Sequence, residues 1–287
     1  MIKFIGNIVV FFSVIGGYAF NNGELGVLYQ PFEFLIIAGA AVGAFTVANS
    51  RHVIRATLTD IRLIYKPAKY GKKEYIDLLS MLFIIFKTAR TKGWLVLEQH
   101  IEVPQESDIF KKFPSFYDNH HAVTFLCDYL RLISLGAEKP YEIEALMDQE
   151  IDTEREERDH TSHALQTMAD GLPALGIVAA VLGVIHTMGA ITEPPAVLGH
   201  LIGGALVGTF LGVLLSYGVV GPIGGAVKER NDTEMKYYIC IKTCILAFLQ
   251  GAAPQVAIEF GRKILLHDTQ PTFLEVEEAT QNVTAVP

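Results

Sequence analysis

The chain has 287 residues, of which 51% are hydrophobic and only 19% are charged. Soluble domains carry about 25% charged residues, so this composition indicates a membrane protein with a charged part outside the lipid. The formal net charge of −8 gives no reason to expect nucleic-acid binding. Three cysteines rule out a disulfide-stapled secreted scaffold.

Four stretches are apolar and long enough to cross a bilayer, which takes about 20 residues. We expect these spans at roughly residues 2–20, 32–50, 172–191 and 199–225. The third and fourth hold no Asp, Glu, Lys or Arg, and Glu33 and Asp170 lie at the edges of the second and third. A cleaved signal peptide is the alternative for the first stretch, but its removal would leave three spans and a conflicting charge pattern.

The positive residues predict the orientation of the spans. Of 23 Lys and Arg residues, all but Lys3 lie in segments 51–171 and 223–287. The positive-inside rule therefore puts both termini and segment 51–171 in the cytoplasm. We expect an all-α polytopic protein in four parts, which are two spans with a short periplasmic loop, a cytoplasmic helical domain, two further spans, and a cytoplasmic helix with a tail. Their predicted bounds are 1–50, 51–171, 172–225 and 226–287.

Several helices are expected outside the membrane. Their predicted ranges are 72–91 ending near Gly93, 119–135 ending at Gly136, a helix beginning after Pro140, and 227–251. The polar stretch after Pro271 is expected to be flexible at the extreme terminus. The stretch 148–159 holds seven acidic residues and two arginines, which favours a solvated helix face or a charged stalk leading into the third span.

Small residues form a stripe on each of the last two predicted spans. The members at helical spacing are Gly176, Ala180, Gly183, Thr187 and Ala190 on the third, and Ala205, Thr209, Gly212 and Ser216 on the fourth. Such stripes let helices approach closely in lipid. The alternative is that they line a wet pathway or a slot for a partner helix. His186 is open to two interpretations, a packed hydrogen-bonding residue or a proton carrier.

Catalytic and metal-binding motifs are absent from the sequence. There is no P-loop, no H-E-x-x-H and no zinc-like cysteine pattern, so we expect no enzyme activity, metal or cofactor. Cys240 and Cys244 are predicted to pack in a core. The spans carry no central carboxylate, whereas intramembrane carboxylates mark most ion relays. If the protein conducts ions, the titrating carboxylate should therefore come from another chain.

Two prolines lie at the predicted cytoplasmic ends of spans. Pro173 is expected in the first turn of the third span, where proline is tolerated. Pro222 is expected to end the fourth span within the flexible break Gly-Pro-Ile-Gly-Gly. Ordinary helix punctuation and a mechanical hinge are both compatible with these positions.

Long sequence motifs resemble the MotA family of flagellar stator subunits, and the resemblance covers nearly the whole chain. The motifs are GGYAFNNGELGVLYQPFEFLIIAGAAVGAF, YLRLISLG with EIEALMDQEI, DGLPALGIVAAVLGVIH, LVGTFLGVLLSYGVVGP and VAIEFGRK. The GGYA and EFGRK motifs and the length look more like the proton-driven branch than the sodium-driven one. The resemblance implies a multi-pass protein of the bacterial inner membrane that assembles as a pentamer around two copies of MotB, whose single span carries the ion-binding aspartate.

The resemblance also implies roles for individual residues. The rotor protein FliG would be contacted by Arg90 and Glu98, with Glu150 matching the family's cytoplasmic acidic helix. Thr209 matches the pore-facing threonine, Ala180 lies on the matching face of the third span, and Thr187 and Ser216 extend the polar stripes. Pro173 and Pro222 match the family's prolines, which would act as hinges. Together these side chains would couple ion flow to torque.

Three alternatives remain open from the sequence. An ExbB/TolQ-type energiser would use a similar proton-linked ring to drive an outer-membrane system, but that family typically has three spans. A sodium-driven stator would differ only in the coupling ion. A static membrane scaffold would carry no ion flux with the partner present.

Overall fold

The computed structural model describes residues 2–137 and 139–284, and no strand occurs among them. The helices are α1 (Ile2–Phe20), α2 (Leu25–Leu28), α3 (Pro31–Ala48), α4 (Arg51–Leu63), α5 (Lys72–Lys92), α6 (Glu98–Glu102), α7 (Asp108–Lys111), α8 (Pro114–Tyr117), α9 (His120–Ser134), α10 (Pro140–Gly189), α11 (Pro195–Leu215), α12 (Gly221–Leu249), α13 (Pro254–Lys263) and α14 (Phe273–Thr284). Short 3-10 turns cover Trp94–Leu97 and Pro104–Glu106, and a π turn covers Ser216–Val220. The all-α prediction is therefore confirmed.

Four helical segments are long and apolar enough to cross a membrane, as the sequence predicts. They are Ile2–Phe20, Leu25–Ala48, Pro140–Gly189 and Pro195–Leu249, and their most apolar windows have mean hydropathies of 1.7 to 2.0. The chain forms two compact units. We call Met1–Pro67 with Glu156–Asn231 the span unit, and Ala68–Arg155 with Asp232–Pro287 the second unit.

Helix α5 forms where the sequence predicts it. Its first turn is capped because the Glu74 carboxylate accepts a hydrogen bond of 2.8 Å from the Gly71 amide. It ends at Gly93, whose φ of +80° is a conformation that glycine adopts without strain. The fully buried Leu82 and Phe86 of α5 belong to the core of the second unit.

The core of the second unit joins distant parts of the chain through aromatic stacking. Tyr70 stacks on Tyr237 with ring centroids 4.0 Å apart, and Phe86 stacks on Phe248 at 4.5 Å. The same core buries the three free cysteines, Cys127, Cys240 and Cys244. Core packing of the last two is therefore confirmed. Burial raises the pKa of the Cys127 thiol to about 12.

The expected place of Pro173 is wrong. Helix α10 is continuous from Pro140 to Gly189, so Pro173 lies deep inside it rather than in its first turn. A proline within a helix removes one backbone hydrogen bond and costs about 3 kcal/mol. The sequence predicts a boundary there because the composition changes from an acidic stretch to an apolar span. The helix itself continues through this change without interruption.

The flexible break expected at Pro222 is also wrong. Helical structure continues through the π turn at Ser216–Val220 directly into α12, in which Pro222 is the second residue. Proline is tolerated at such a position because its φ already suits a helix. The irregular backbone in this region is therefore a π turn before Pro222, and not the flexible break that the sequence motif predicts.

The polar stretch after Pro271 forms a helix over much of its length, and the extreme terminus that the sequence predicts to be flexible, residues 285–287, lies outside the described residues. Helix α14 begins after Thr272, whose hydroxyl accepts a bond of 3.3 Å from the Glu275 amide. The Glu275 carboxylate in turn accepts one of 2.7 Å from the Thr272 amide, which completes a capping box. The pattern Thr-x-x-Glu is the sequence signal that identifies this helix start.

Candidate ion pathway and charged surface

Helices α10 and α11 pack backbone to backbone through glycines. A methyl group added to Gly212 would lie 2.7 Å from the carbonyl oxygen of Leu172 and 2.8 Å from the Cα of Gly176. Real side chains do not tolerate such distances, so only glycine fits at this contact. The helix-packing interpretation of the small-residue stripe therefore holds for this part of it.

The same close approach continues along the two helices. A methyl group at Gly183 would lie 2.7 Å from the Cβ of Ala205, and one at Gly208 would lie 3.1 Å from the Cβ of Ala179. By contrast, a methyl group added to Gly39 of α3 would have nothing within 4 Å. The stripes on α10 and α11 therefore serve mainly the contact between these two spans.

The three hydroxyl side chains predicted to line the pathway are not equivalent. The Thr187 hydroxyl donates a bond of 2.9 Å to the Gly183 carbonyl oxygen, and both residues lie on α10. The buried Ser216 hydroxyl donates one of 2.7 Å to the Ala169 carbonyl oxygen. Within residues 2–137 and 139–284, the half-buried Thr209 hydroxyl has no hydrogen-bond partner. Ala180, the fourth predicted lining residue, is also half-buried.

Ser216 repairs the helix defect that Pro173 creates. Pro173 has no backbone N–H, so the Ala169 carbonyl four residues earlier lacks its usual helical donor. The Ser216 hydroxyl supplies that donor from the start of the π turn, and Gly221 leaves room there, since a methyl group on it would lie 3.0 Å from the Ser216 carbonyl oxygen. The two irregular stretches, at Pro173 and before Pro222, are thus joined by one hydrogen bond.

The residues predicted to contact the rotor are exposed in the second unit. Arg90 lies in the last turn of α5, and its guanidinium donates a hydrogen bond of 3.2 Å to the carbonyl oxygen of Ala252. Glu98 is the exposed first residue of α6. The Glu150 carboxylate accepts a bond of 2.6 Å from the Tyr129 hydroxyl, whose pKa is raised by burial and further by this carboxylate. Glu150 is therefore held in place, whereas Glu98 projects from a short helix.

The acidic stretch of α10 is partly paired within the second unit. Asp148 accepts a bond of 2.5 Å from Lys242, whose side chain is only 15% exposed, while Asp152 pairs with Arg155 at 3.3 Å. His186 is exposed and forms no hydrogen bond within the described chain. No cluster of metal-ligating side chains occurs within the described residues.

Glu33 has surroundings that sequence reasoning does not reveal. It belongs to the first turn of α3, at the edge of the second span as predicted, and its carboxylate lies close to Gly183 of α10 and Gly208 of α11. Its atom Oε2 is buried and has no hydrogen-bond partner in the described part of the chain. Hydropathy alone cannot find such a residue, because the direction of the side chain depends on the neighbouring helices.

Comparisons with known proteins agree with this architecture. A family model for the Motility protein A N-terminal region matches residues 4–93, and one for the MotA/TolQ/ExbB proton channel family matches residues 119–239. The chain is 43% identical to Motility protein A of Escherichia coli (strain K12) over 283 residues, which cover 99% of this chain and 96% of that relative.

Two solved structures share the fold. The structure of C. jejuni MotAB matches with a TM-score of 0.75 and 21% identity, covering 93% of this chain and 96% of that chain. The flagellar MotAB stator complex from Bacillus subtilis matches with a TM-score of 0.72 and 24% identity, covering 99% and 98%. Four apolar helical segments and a tightly packed pair of neutral helices define an integral membrane protein of the proton channel class. The chain belongs to the MotA family of flagellar stator subunits.

Proposed function

We propose that this chain forms the ion channel of a flagellar stator together with a MotB-type partner and converts ion flow, most simply of protons, into torque on the rotor protein FliG. Five copies would surround two partner chains in the bacterial inner membrane, with both termini in the cytoplasm. The 43% identity to a motility protein over nearly the whole chain supports a function in the flagellar stator. The same identity makes an ExbB/TolQ-type energiser the less favoured alternative.

The observation that carries the channel proposal is the free hydroxyl of Thr209. The chain holds no Asp, Glu, Lys or Arg between Gly171 and Thr192 or between Pro194 and Val227, so α10 and α11 supply no fixed charge to an ion there. The hydroxyls of Thr187 and Ser216 donate hydrogen bonds to backbone carbonyl oxygens. Of the three hydroxyls, that of Thr209 alone donates no hydrogen bond in the described structure. A hydroxyl of this kind suits hydrogen bonding to a carboxylate supplied by the partner span.

The charged surface of the second unit supports the torque-generating half of the proposal. Arg90, Glu98 and Glu150 are all exposed, so their charges are accessible to a protein outside the membrane. Exposed charges steer association and set its register more than they add affinity. Pro173 and Pro222, joined through Ser216, would let the spans change shape when the partner carboxylate is protonated.

The test compares Thr209→Val with Thr46→Val in cells that carry the partner chain. Thr46 is an exposed threonine of α3 whose hydroxyl already donates 2.8 Å to the Val42 carbonyl oxygen. We expect Thr209→Val to reduce proton flux roughly tenfold or more, and swimming speed with it, because a lost hydrogen bond to a charged group costs about 1.5–3 kcal/mol. Thr46→Val should leave both unchanged.

Assembly and coupling ion are read out in the same cells. Co-purification of Thr209→Val with the partner would show that the complex still forms. Wild-type flux in that assembled variant would contradict the role of the hydroxyl, and absence of flux in the unmodified complex would contradict the channel itself. Swimming speed that is independent of sodium concentration at fixed pH would identify the proton as the coupling ion, whereas a sodium requirement would identify a sodium-driven stator.

A further inference from the structure

The Glu33 carboxylate lies among three helices of the span unit. A methyl group built on Gly183 of α10 would lie 3.4 Å from Oε1, and one built on Gly208 of α11 would lie 3.3 Å from Oε2. Both positions lack side chains, and each carboxylate oxygen lies within van der Waals contact of the point that a side chain there would occupy. The absence of side chains at Gly183 and Gly208 therefore creates the space that the carboxyl group of α3 occupies.

This position is inside the helical layer rather than at its edge. Gly183 precedes the end of α10 at Gly189 by six residues, which is about 9 Å of helix. Gly208 follows the start of α11 at Pro195 by 13 residues, which is about 20 Å. The carboxylate of Glu33 therefore lies beside interior turns of α10 and α11.

Burial without a partner favours a carboxyl group that holds a proton. Oε2 is inaccessible to solvent and has no hydrogen-bond donor in the described chain. Glu33 as a whole is half-buried, so its ionised form loses part of its water without compensation, whereas the protonated form loses less. Glu33 nevertheless belongs to the first turn of α3, where the helix dipole eases the ionised form. Both forms are therefore accessible, as a proton carrier requires.

No other charged group competes for this role among the helices packed around Glu33. Helix α2 has no titratable residue and α3 has only Glu33 itself. The titratable residue of α10 beyond Pro173 is His186, and that of α11 is His200; both are exposed. In the described structure, neither imidazole forms a hydrogen bond or ion pair with Glu33.

We propose that Glu33 is a proton-binding residue of the ion pathway contributed by this chain itself, in addition to the carboxylate of the partner span. Glu33 in its ionised form accepts a proton from a hydronium ion, so that an O–H bond of the hydronium breaks to leave water while an O–H bond forms on the carboxylate. This bond breaks in turn when the proton passes to a water molecule and on to the ionised carboxylate of the partner, which leaves Glu33 ionised again. The contact of Glu33 with Gly208 places it next to the backbone of Thr209, the residue with the free hydroxyl. This inference rests on the proposed channel function.

The experiment measures proton flux against external pH for the full chain with its MotB-type partner in liposomes. Glu33→Gln keeps the size of the side chain but cannot titrate, and Glu33→Asp keeps the carboxylate. Glu24→Gln is the matched control, because Glu24 is an exposed glutamate just before α2. We expect Glu33→Gln to lower flux by roughly tenfold or more and to flatten its pH dependence, while Glu33→Asp retains a pH-dependent flux and Glu24→Gln matches the unmodified protein.

Flux and pH profile unchanged in Glu33→Gln would overturn the proposal. A complex that shows no flux even without substitution would instead refute the channel function, so the two failures are distinguishable. Infrared difference spectra between acid and neutral pH keep the test valid if Glu33→Gln does not assemble. The carbonyl stretch of a protonated carboxyl group should appear in the unmodified complex and shift in Glu33→Asp, and identical spectra for these two proteins would contradict proton binding at this site.

Discussion

At the scale of single residues, the hydroxyl of Ser216 compensates for a missing backbone donor. The Ala169 carbonyl would otherwise be buried without a partner, because Pro173 cannot donate to it. Sequence periodicity places Ser216 on a small polar stripe, which predicts an open pathway. The stripe cannot reveal the actual partner, since the two residues are 47 positions apart and meet only through the packing of α10 and α11.

We predict that Ser216→Ala destabilises the protein and weakens the motor, whereas Ser216→Thr does much less harm. The alanine leaves a buried carbonyl unsatisfied, at a cost of about 1–3 kcal/mol. The thermal midpoint of the purified complex and the swimming speed of cells measure the two effects. Thr59→Ala is the matched control, because Thr59 is an exposed residue of α4 whose hydroxyl also donates to a carbonyl, that of Arg55 at 3.0 Å. A Ser216→Ala protein as stable as this control would show that the Ala169 bond contributes nothing.

At the scale of helices, local signals predict some elements well and others not at all. Gly93 and Gly136, with φ of +80° and +99°, mark the ends of α5 and α9 because glycine alone adopts that conformation freely. The continuity of α10 through Pro173 cannot be predicted locally, since the lost hydrogen bond is replaced by a side chain from another helix. Helix α14 was predictable, because Thr272 and Glu275 form a capping box that the polar composition of the tail obscures.

The glycine contact between α10 and α11 leaves no room for an added methyl group. Gly212→Ala should destabilise the protein by about 1–3 kcal/mol, the usual cost of overpacking, because its methyl group would press on the Leu172 carbonyl and on Gly176. Gly171→Ala is the control on the same pair of helices, since nothing lies within 4 Å of its added methyl group. Thermal unfolding of the two variants in detergent measures the difference. Equal midpoints would mean that the two helices do not pack this closely.

At the scale of the whole molecule, the second unit is built from two segments that are far apart in sequence. Ala68–Arg155 and Asp232–Pro287 share one core through the Tyr70–Tyr237 and Phe86–Phe248 pairs. The composition predicts that both segments are helical, but it carries no information on which faces meet. The family resemblance predicts which residues matter for function, and only the geometry distinguishes the free hydroxyl of Thr209 from the occupied one of Thr187.

The closure of this unit by α14 should depend on pH. The Glu275 carboxylate pairs with Lys72 of α5 at 2.8 Å, and this bond, followed by those from Thr272, lowers its pKa from 4.5 to about 2. Because the pKa is depressed in the folded chain, the stabilisation is complete above about pH 4.5 and is lost as the pH falls towards 2. Amide hydrogen exchange in α14, corrected for its intrinsic pH dependence, should therefore accelerate over that interval. Glu275→Gln should abolish the effect, and Glu278→Gln, at an exposed position, should preserve it.

The burial of every cysteine has a practical consequence for following this protein one molecule at a time. Thiol reagents attack the thiolate, and Cys127, Cys240 and Cys244 are all buried in the folded chain. Burial also raises the pKa of the Cys127 thiol, and a hydrogen bond with Cys244 together with burial raises that of Cys240. A single cysteine introduced at exposed Leu95 would consequently be the reactive position for a maleimide dye. Rotation of the labelled subunit could then be watched by polarised fluorescence without first removing the native sulfhydryl groups.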